Sequence, residues 1–307
     1  MRKILIDTDT ASDDAVALMM ALRHPDIDIK AITVVAGNVQ TKQGVQNALY
    51  TVELCGKDVP VYAGLAKPLV VELHTAQDTH GDDGMGDIGL DLSGRQPADG
   101  HGVQVILDTV HANSGDIDLV TLGPLTNVAV ALTLDPTLAT QINHCYIMGG
   151  TSDNFGNVTA VAEYNIWADP ESARIVFESG MQITMIGWDI SRKYAVFEEA
   201  DVAAIKAFNT PLADFTVDIQ GTVLEMVTTE LGLSGFDFPD PIAMAVALDN
   251  EVIAESETYH VTVDTSTGPS RGQTLIDHSH RSGERNTRVV TVANRERFIE
   301  LLHASVQ

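Results

Sequence analysis

Short apolar runs alternate with stretches of helical period from the amino terminus to residue 186, and this alternation restricts the chain to very few architectures. Residues 3–6 form an apolar run that ends in acids, after which Ala15, Leu18, Met19 and Leu22 recur at the helical spacing i, i+3, i+4 and i+7. Further strand readings at 27–35, 59–63, 117–122, 145–148 and 183–186 are separated by helix readings at 42–54, 103–112, 125–132 and 170–178, the last opened by Pro170. Strands joined by helices of this length need right-handed crossovers. The pattern therefore predicts an α/β fold, an open and mostly parallel sheet with helices on both faces. Residues 197–233 read as mostly helical, then 258–263, 273–276 and 288–292 as late strands and 295–302 as a closing helix, a C-terminal helical and strand elaboration. No Gly/Ser linker, repeat or low-complexity tract divides the chain, so residues 1–307 are expected to form a single α/β domain. The polar insert at 74–100, rich in Gly, Asp and His, is of a length that usually serves a site or moves.

The 43 acidic against 18 basic residues give a formal charge of −25, so the surface repels phosphate backbones and anionic lipid. Nucleic-acid polymers and membranes are poor partners for such a chain; small molecules and cations are better ones. Cys55 and Cys145 stand far apart in apolar surroundings and read as buried thiols, outside any disulfide framework or zinc site. Asp7 and Asp9 interrupt the first apolar run before a secretory core forms, and no run approaches the ~18 apolar residues of a membrane span. A cytoplasmic protein is expected.

The strongest chemical signal follows the first strand. Asp7-Thr8-Asp9-Thr10-Ala11-Ser12-Asp13-Asp14 places four carboxylates in eight residues, where open α/β sheets bind their ligands. Capping of the helix that begins near Asp13 explains one or two of them. It does not explain four, because crowded carboxylates repel unless a cation neutralises them. All local donors are hard oxygens, which favours Ca²⁺ or Mg²⁺ over Zn²⁺.

Asp7-Thr8-Asp9-(x)3-Asp13-Asp14 resembles the amino-terminal signature of the nucleoside hydrolases, the inosine–uridine-preferring ribohydrolase family. Further segments match in order: Val35-Ala36-Gly37-Asn38; Leu122-Gly123-Pro124-Leu125-Thr126-Asn127; Met148-Gly149-Gly150 with Gly156-Asn157 and Ala162-Glu163-Tyr164-Asn165; and Asp240-Pro241 before an apolar helix. The resemblance runs from residue 4 to about residue 245 and implies the nucleoside hydrolase fold, a Ca²⁺ cofactor and a homodimer or homotetramer. By position it makes Asp9, Asp14 and Asp240 side-chain ligands of Ca²⁺, with the carbonyl of Leu122 beside them. It gives Asp13 and Asn165 to the ribose 2′ and 3′ hydroxyls with Asn38 in the same cluster, Asn157 and Glu163 to the 5′ hydroxyl, and Met148 to packing against the sugar. The chemistry it implies is cleavage of a ribonucleoside to ribose and free base. Ca²⁺ lowers the pKa of a bound water, Asp9 takes its proton, and attack on one face of an oxocarbenium-like centre inverts the anomeric carbon.

His80, in Asp78-Thr79-His80-Gly81-Asp82, matches a loop histidine near the nucleobase and is the candidate acid for the leaving group. Many family members carry a second histidine just before the last metal-binding aspartate. This chain has Pro239 there, and tyrosines found in the preceding helix of some members are absent from 216–236. A missing acid is typically worth 10²–10⁴ in rate. Slow hydrolysis of inosine is therefore expected, with preference for a pyrimidine nucleoside assisted by His80 or for a better leaving group.

Three motifs are set aside. Gly84-Met85-Gly86-Asp87-Ile88-Gly89 fits GxGxxG but has no strand before it, Gly268-Pro269-Ser270-Arg271-Gly272 fits GxSxG but joins two late strands, and Asn157-Val158-Thr159 is a sequon without a secretory route. Two rival readings stand beside the hydrolase. Asp7-Thr8-Asp9-Thr10 fits the DxDxT nucleophile motif of haloacid-dehalogenase-type phosphatases, although the required downstream Lys and acidic pair are not in order. A catalytically impaired nucleoside- or sugar-binding protein is the other, prompted by Pro239.

Overall fold

In the first strand alternate side chains enter opposite layers: Ile4 and Ile6 join one buried cluster and Leu5 the other. The same alternation recurs at Val120 against Leu119, Met148 against Ile147, and Val290 against Val289, so the sheet is covered on both faces. The computed structural model describes residues 1–230, 232 and 234–307. Its strands are β1 (Arg2–Thr8), β2 (Ile27–Val34), β3 (Val61–Ala63), β4 (Asp118–Thr121), β5 (His144–Met148), β6 (Ile183–Ile186), β7 (Val196–Phe197), β8 (Phe236–Asp237), β9 (Ile253–Tyr259), β10 (Val261–Val263), β11 (Thr274–Ile276) and β12 (Thr287–Ala293).

Eight of these form the central sheet in the order β3-β2-β1-β4-β5-β6-β12-β9. All neighbours are parallel except β12 and β9. The expected α/β architecture is therefore observed. From β1 the chain builds outward through β2 to β3, then returns to place β4 on the other side of β1. The crevice above the carboxyl ends of β1 and β4 is thus a topological switch point, and the acidic loop opens into it.

The late segments differ in detail from the sequence reading. The expected strand at 258–263 is divided at His260: β9 extends the central sheet antiparallel to β12, whereas β10 pairs with β11 as a separate hairpin. Periodicity cannot reveal that division, because both pieces alternate alike. Within 197–233 lie the helices Glu199–Lys206, Pro211–Asp218 and Gly221–Glu230, while Leu231 and Leu233 fall outside the described residues. The insert at 74–100 contains one short helix, Gln77–His80. Gly84, Gly86 and Gly89 all take positive φ in a turn-rich stretch of it, away from any strand-to-helix phosphate loop. Gly268–Gly272 lies in the β10–β11 connection, as the hairpin reading expects. No helix among the described residues is long and apolar enough to cross a membrane.

Candidate active site

The acidic loop is held by its own polar groups. Asp14, in the first turn of the helix Ser12–Arg23, accepts from the Thr8 hydroxyl at 2.5 Å and from the Ala11 amide at 2.9 Å. Asp7 points away from the crevice into a buried network, accepting from Thr33 Oγ1 at 2.5 Å and Asn127 Nδ2 at 2.8 Å. Burial lifts the Asp7 carboxyl to about 7 against those two donors. A carboxylate engaged in this way is not presented as a nucleophile, which removes the structural basis for the phosphatase reading.

Asp9 is fully buried, and its Oδ2 accepts from the Asn38 amide at 2.5 Å. Backbone presses on this carboxylate from both sides. A β-carbon on Gly37 would lie 2.0 Å from Oδ2, and one on Gly123 would lie 2.6 Å from Oδ1. Glycine is needed at these two positions for close approach, which explains two short motif segments in physical terms.

Asp240 enters from the first turn of the helix Pro239–Leu248, where proline at the first position costs no backbone hydrogen bond. Carboxylate oxygens of Asp13, Asp14 and Asp240 lie within 4.8 Å of one another, so the structure brings Asp13 into the group with Asp14 and Asp240. Asp9 faces them closely enough that the charges of Asp13 and Asp14 disfavour its ionisation. Burial first, then neighbouring carboxylates, holds Asp9 and Asp240 well above the usual carboxylate range and lifts Asp14 to about 7. Among the described residues no Lys or Arg pairs with any of the four. Two oxygens, Asp9 Oδ1 and Asp13 Oδ1, are buried with no hydrogen-bond donor. Unpaired buried anions are costly. The hard-oxygen donor set therefore fits a divalent cation of the Ca²⁺ or Mg²⁺ kind.

The other sequence-selected residues ring this cluster, with one at the rim. The Leu122 carbonyl, just beyond β4, accepts from Asn165 Nδ2 at 2.8 Å, and Asn165 Nδ2 also lies 3.3 Å from Met148 Sδ. Glu163 caps the helix Tyr164–Ala168. Its Oε1 accepts from the Asn165 amide at 2.8 Å and its Oε2 from Gly150 at 2.7 Å and Ile166 at 3.2 Å, while burial lifts its carboxyl to about 7. Asn38, Met148, Glu163 and Asn165 are all buried, but Asn157 is exposed and accepts from the Tyr164 amide at 2.9 Å.

His80 is brought over the acidic loop from the far insert: Nδ1 lies 2.9 Å from Ser12 Oγ and 3.9 Å from Asp13 Oδ1. Burial pushes the imidazole below its ordinary value, while Asp13, Asp78 and Asp237 pull it back. Sequence reasoning missed the residues that seat this histidine and the loop that carries it. Gln220 is bonded to Ser12, and Tyr164 Oη donates to the His74 carbonyl at 2.7 Å. Asp237, at the end of β8, accepts from Trp188 Nε1 at 3.0 Å and Ser191 Oγ at 2.6 Å. Ser12 sits inside the acid cluster, a signal that was available; Gln220 carries none, because its partner is 208 residues away.

A buried carboxylate cluster at the switch point of a doubly wound sheet, ringed by amide side chains, defines an α/β protein whose crevice could hold a metal ion. Residues 4–300 match the inosine-uridine preferring nucleoside hydrolase family. The whole chain aligns at 35% identity with 97% of the pyrimidine-specific ribonucleoside hydrolase RihB of Escherichia coli O157:H7. Among solved structures, the plant nucleoside hydrolase PpNRh1 superposes with a TM-score of 0.93 at 31% identity, covering 99% of this chain and 98% of that one. The purine-preferring ribonucleoside hydrolase from Gardnerella vaginalis superposes at 0.91 with 32% identity and the same coverage. The chain belongs to the inosine-uridine preferring nucleoside hydrolase family and is a hydrolase of the N-glycosyl bonds of nucleosides.

Proposed function

We propose that the chain is a Ca²⁺-dependent N-ribohydrolase that splits ribonucleosides to ribose and free base by single displacement. The observation that carries this reading is the pair of donorless buried oxygens, Asp9 Oδ1 and Asp13 Oδ1, at the switch-point crevice. Asp9, Asp14, Asp240 and the Leu122 carbonyl would hold the ion. When bound, Ca²⁺ supplies positive charge that neutralises the cluster and acidifies water in the crevice.

The remaining steps fall to the protein's own residues. Asp13, Asn165 and Asn38 bind the 2′ and 3′ hydroxyls, while Asn157 and Glu163 take the 5′ hydroxyl and Met148 packs against the sugar. Glu163 is already fixed by three backbone amides and still has lone pairs for a hydroxyl donor. Asp9 accepts the proton of the attacking water, and the nearby carboxylates stabilise positive charge developing on the ribose. His80 delivers a proton to the departing base. A homodimer or homotetramer of single-domain subunits acting in cytoplasmic nucleoside breakdown completes the reading.

Metal analysis and an activity assay test it together. The purified protein is expected to hold about one Ca²⁺ per chain, to stop releasing ribose from uridine once the ion is stripped, and to recover when Ca²⁺ is returned. Stoichiometric Zn²⁺, or full activity after exhaustive stripping, would contradict the assignment.

A further inference from the structure

Gln220 lies between the helices Pro211–Asp218 and Gly221–Glu230, with its side chain buried. Its orientation is fixed by chemistry. Nε2 is 3.0 Å from the Ser12 carbonyl, and a carbonyl only accepts, so the amide nitrogen must be on that side. Oε1 then faces Ser12 Oγ at 3.0 Å. That amide oxygen has no other donor among the described residues, and a hydroxyl has one hydrogen to give. The Ser12 hydrogen therefore goes to Gln220, which leaves Ser12 Oγ as the acceptor for His80 Nδ1, 2.9 Å away.

From this chain of bonds we infer that Gln220 and Ser12 are positioning residues for His80: they hold the hydrogen of its neutral ring on Nδ1 and leave Nε2 as the free lone pair. The reverse arrangement would strand the buried Gln220 Oε1 without a donor. Asp13 Oδ1, 3.9 Å from Nδ1, favours the hydrogen on the same nitrogen. Nε2 has no partner among the described residues and is absent from the buried unpaired atoms, so it is the open edge of the ring.

The catalytic consequence rests on the reading of His80 as the proton donor. To act as the donor the ring first takes a proton from solvent on its free Nε2, and as the cation it passes that hydrogen to the base from Nε2, with Nδ1 bonded to Ser12 throughout. In that step the Nε2–H bond breaks and an N–H bond forms on the base, which receives the electron pair of the C1′–N bond. The attacking water gives its oxygen to C1′ and its proton to Asp9. The ring is left in the tautomer that Ser12 and Gln220 already bind, so between turnovers it needs only a new proton on Nε2 from solvent, while Asp9 returns its own to solvent, and no hydrogen bond has to be rearranged.

The tautomer is directly visible by NMR on the metal-loaded, ¹⁵N-histidine-labelled protein, with His80 signals identified by their loss in His80→Asn. The expected spectrum has a pyrrole-type Nδ1 and a pyridine-type Nε2. Ser12→Ala, which removes the acceptor, and Gln220→Met, which frees the Ser12 hydrogen to point at Nδ1, should both shift the ring toward Nε2–H. A pyrrole-type Nε2 in the wild type, or a ring unchanged in Ser12→Ala, would overturn the assignment. In kinetics, Ser12→Ala should lose at least about tenfold more kcat on uridine than on p-nitrophenyl riboside, whose leaving group needs little protonation. Equal loss on both would overturn the positioning role. Undiminished uridine hydrolysis by His80→Asn would instead overturn His80 as the donor, a failure the tautomer spectrum separates from the first.

Discussion

The floor of the crevice and the wall that carries His80 are built by different means. The floor comes from the carboxyl ends of β1, β4 and β5, and from helix first turns packed against them; Asp9, Asp13, Asp14, Leu122, Met148, Glu163, Asn165 and Asp240 are all buried there. Asp9 and Leu122 sit on short strand-to-helix connections, Met148 ends β5, Glu163 caps the helix Tyr164–Ala168, and Asp13, Asp14, Asn165 and Asp240 lie in first turns of helices. The wall is assembled from remote pieces: His80 from the polar insert, Gln220 from between two helices, Trp188 from after β6 and Asp237 from β8. Most of the floor is therefore gathered by local strand-to-helix order, whereas the wall depends on contacts between segments far apart in sequence, such as Ser12 with His80 and Gln220.

Asp9→Ala should have the largest effect, since in the proposed mechanism it would remove a metal ligand and the proton acceptor together. A fall in kcat at the upper end of 10²–10⁴ is expected. Near-normal turnover would move the centre of the chemistry away from the floor.

Asn165→Ala should act more mildly. It removes the amide that spans the Leu122 carbonyl and Met148, and a lost hydrogen-bond partner costs about 1–2 kcal/mol. KM for ribonucleosides should rise by roughly tenfold, with weaker discrimination against 2′-deoxynucleosides. Unchanged discrimination would leave recognition of the 2′ hydroxyl to Asp13 and Asn38.

The legibility of the sequence follows the same division. The parallel sheet could be read because its strands and crossover helices carry distinct periods, and the floor because glycines and carboxylates crowd into short segments at strand ends. Gly37 and Gly123 stand beside Asp9 for a reason that close approach alone supplies. The wall was legible only at His80. No local pattern joins Gln220 to Ser12, and the His260 break that sends β10 away from the central sheet leaves no mark on the alternation.

A smaller effect concerns stability of the metal-free protein. Asp14 and Glu163 are lifted to about 7 from ordinary carboxylate values, so the folded state binds their protons more tightly than the unfolded chain does. Their contribution is fully present below the unfolded pKa of about 4 and is lost as pH rises through about 7. The Tm of the metal-free protein should fall by several degrees between about pH 5 and pH 8, and Ca²⁺ should raise it more at the higher pH, where it no longer competes with those protons. A Tm that climbs over this interval without metal would show that the floor does not carry buried, repelling carboxylates.

Direct attack by water on the ribose of a nucleoside can be followed by proton NMR of uridine during the first moments of hydrolysis. Ribose should appear first as the inverted α-anomer and only later mutarotate to the equilibrium mixture; initial β-ribose, or no ribose at all, would rule out single displacement by water.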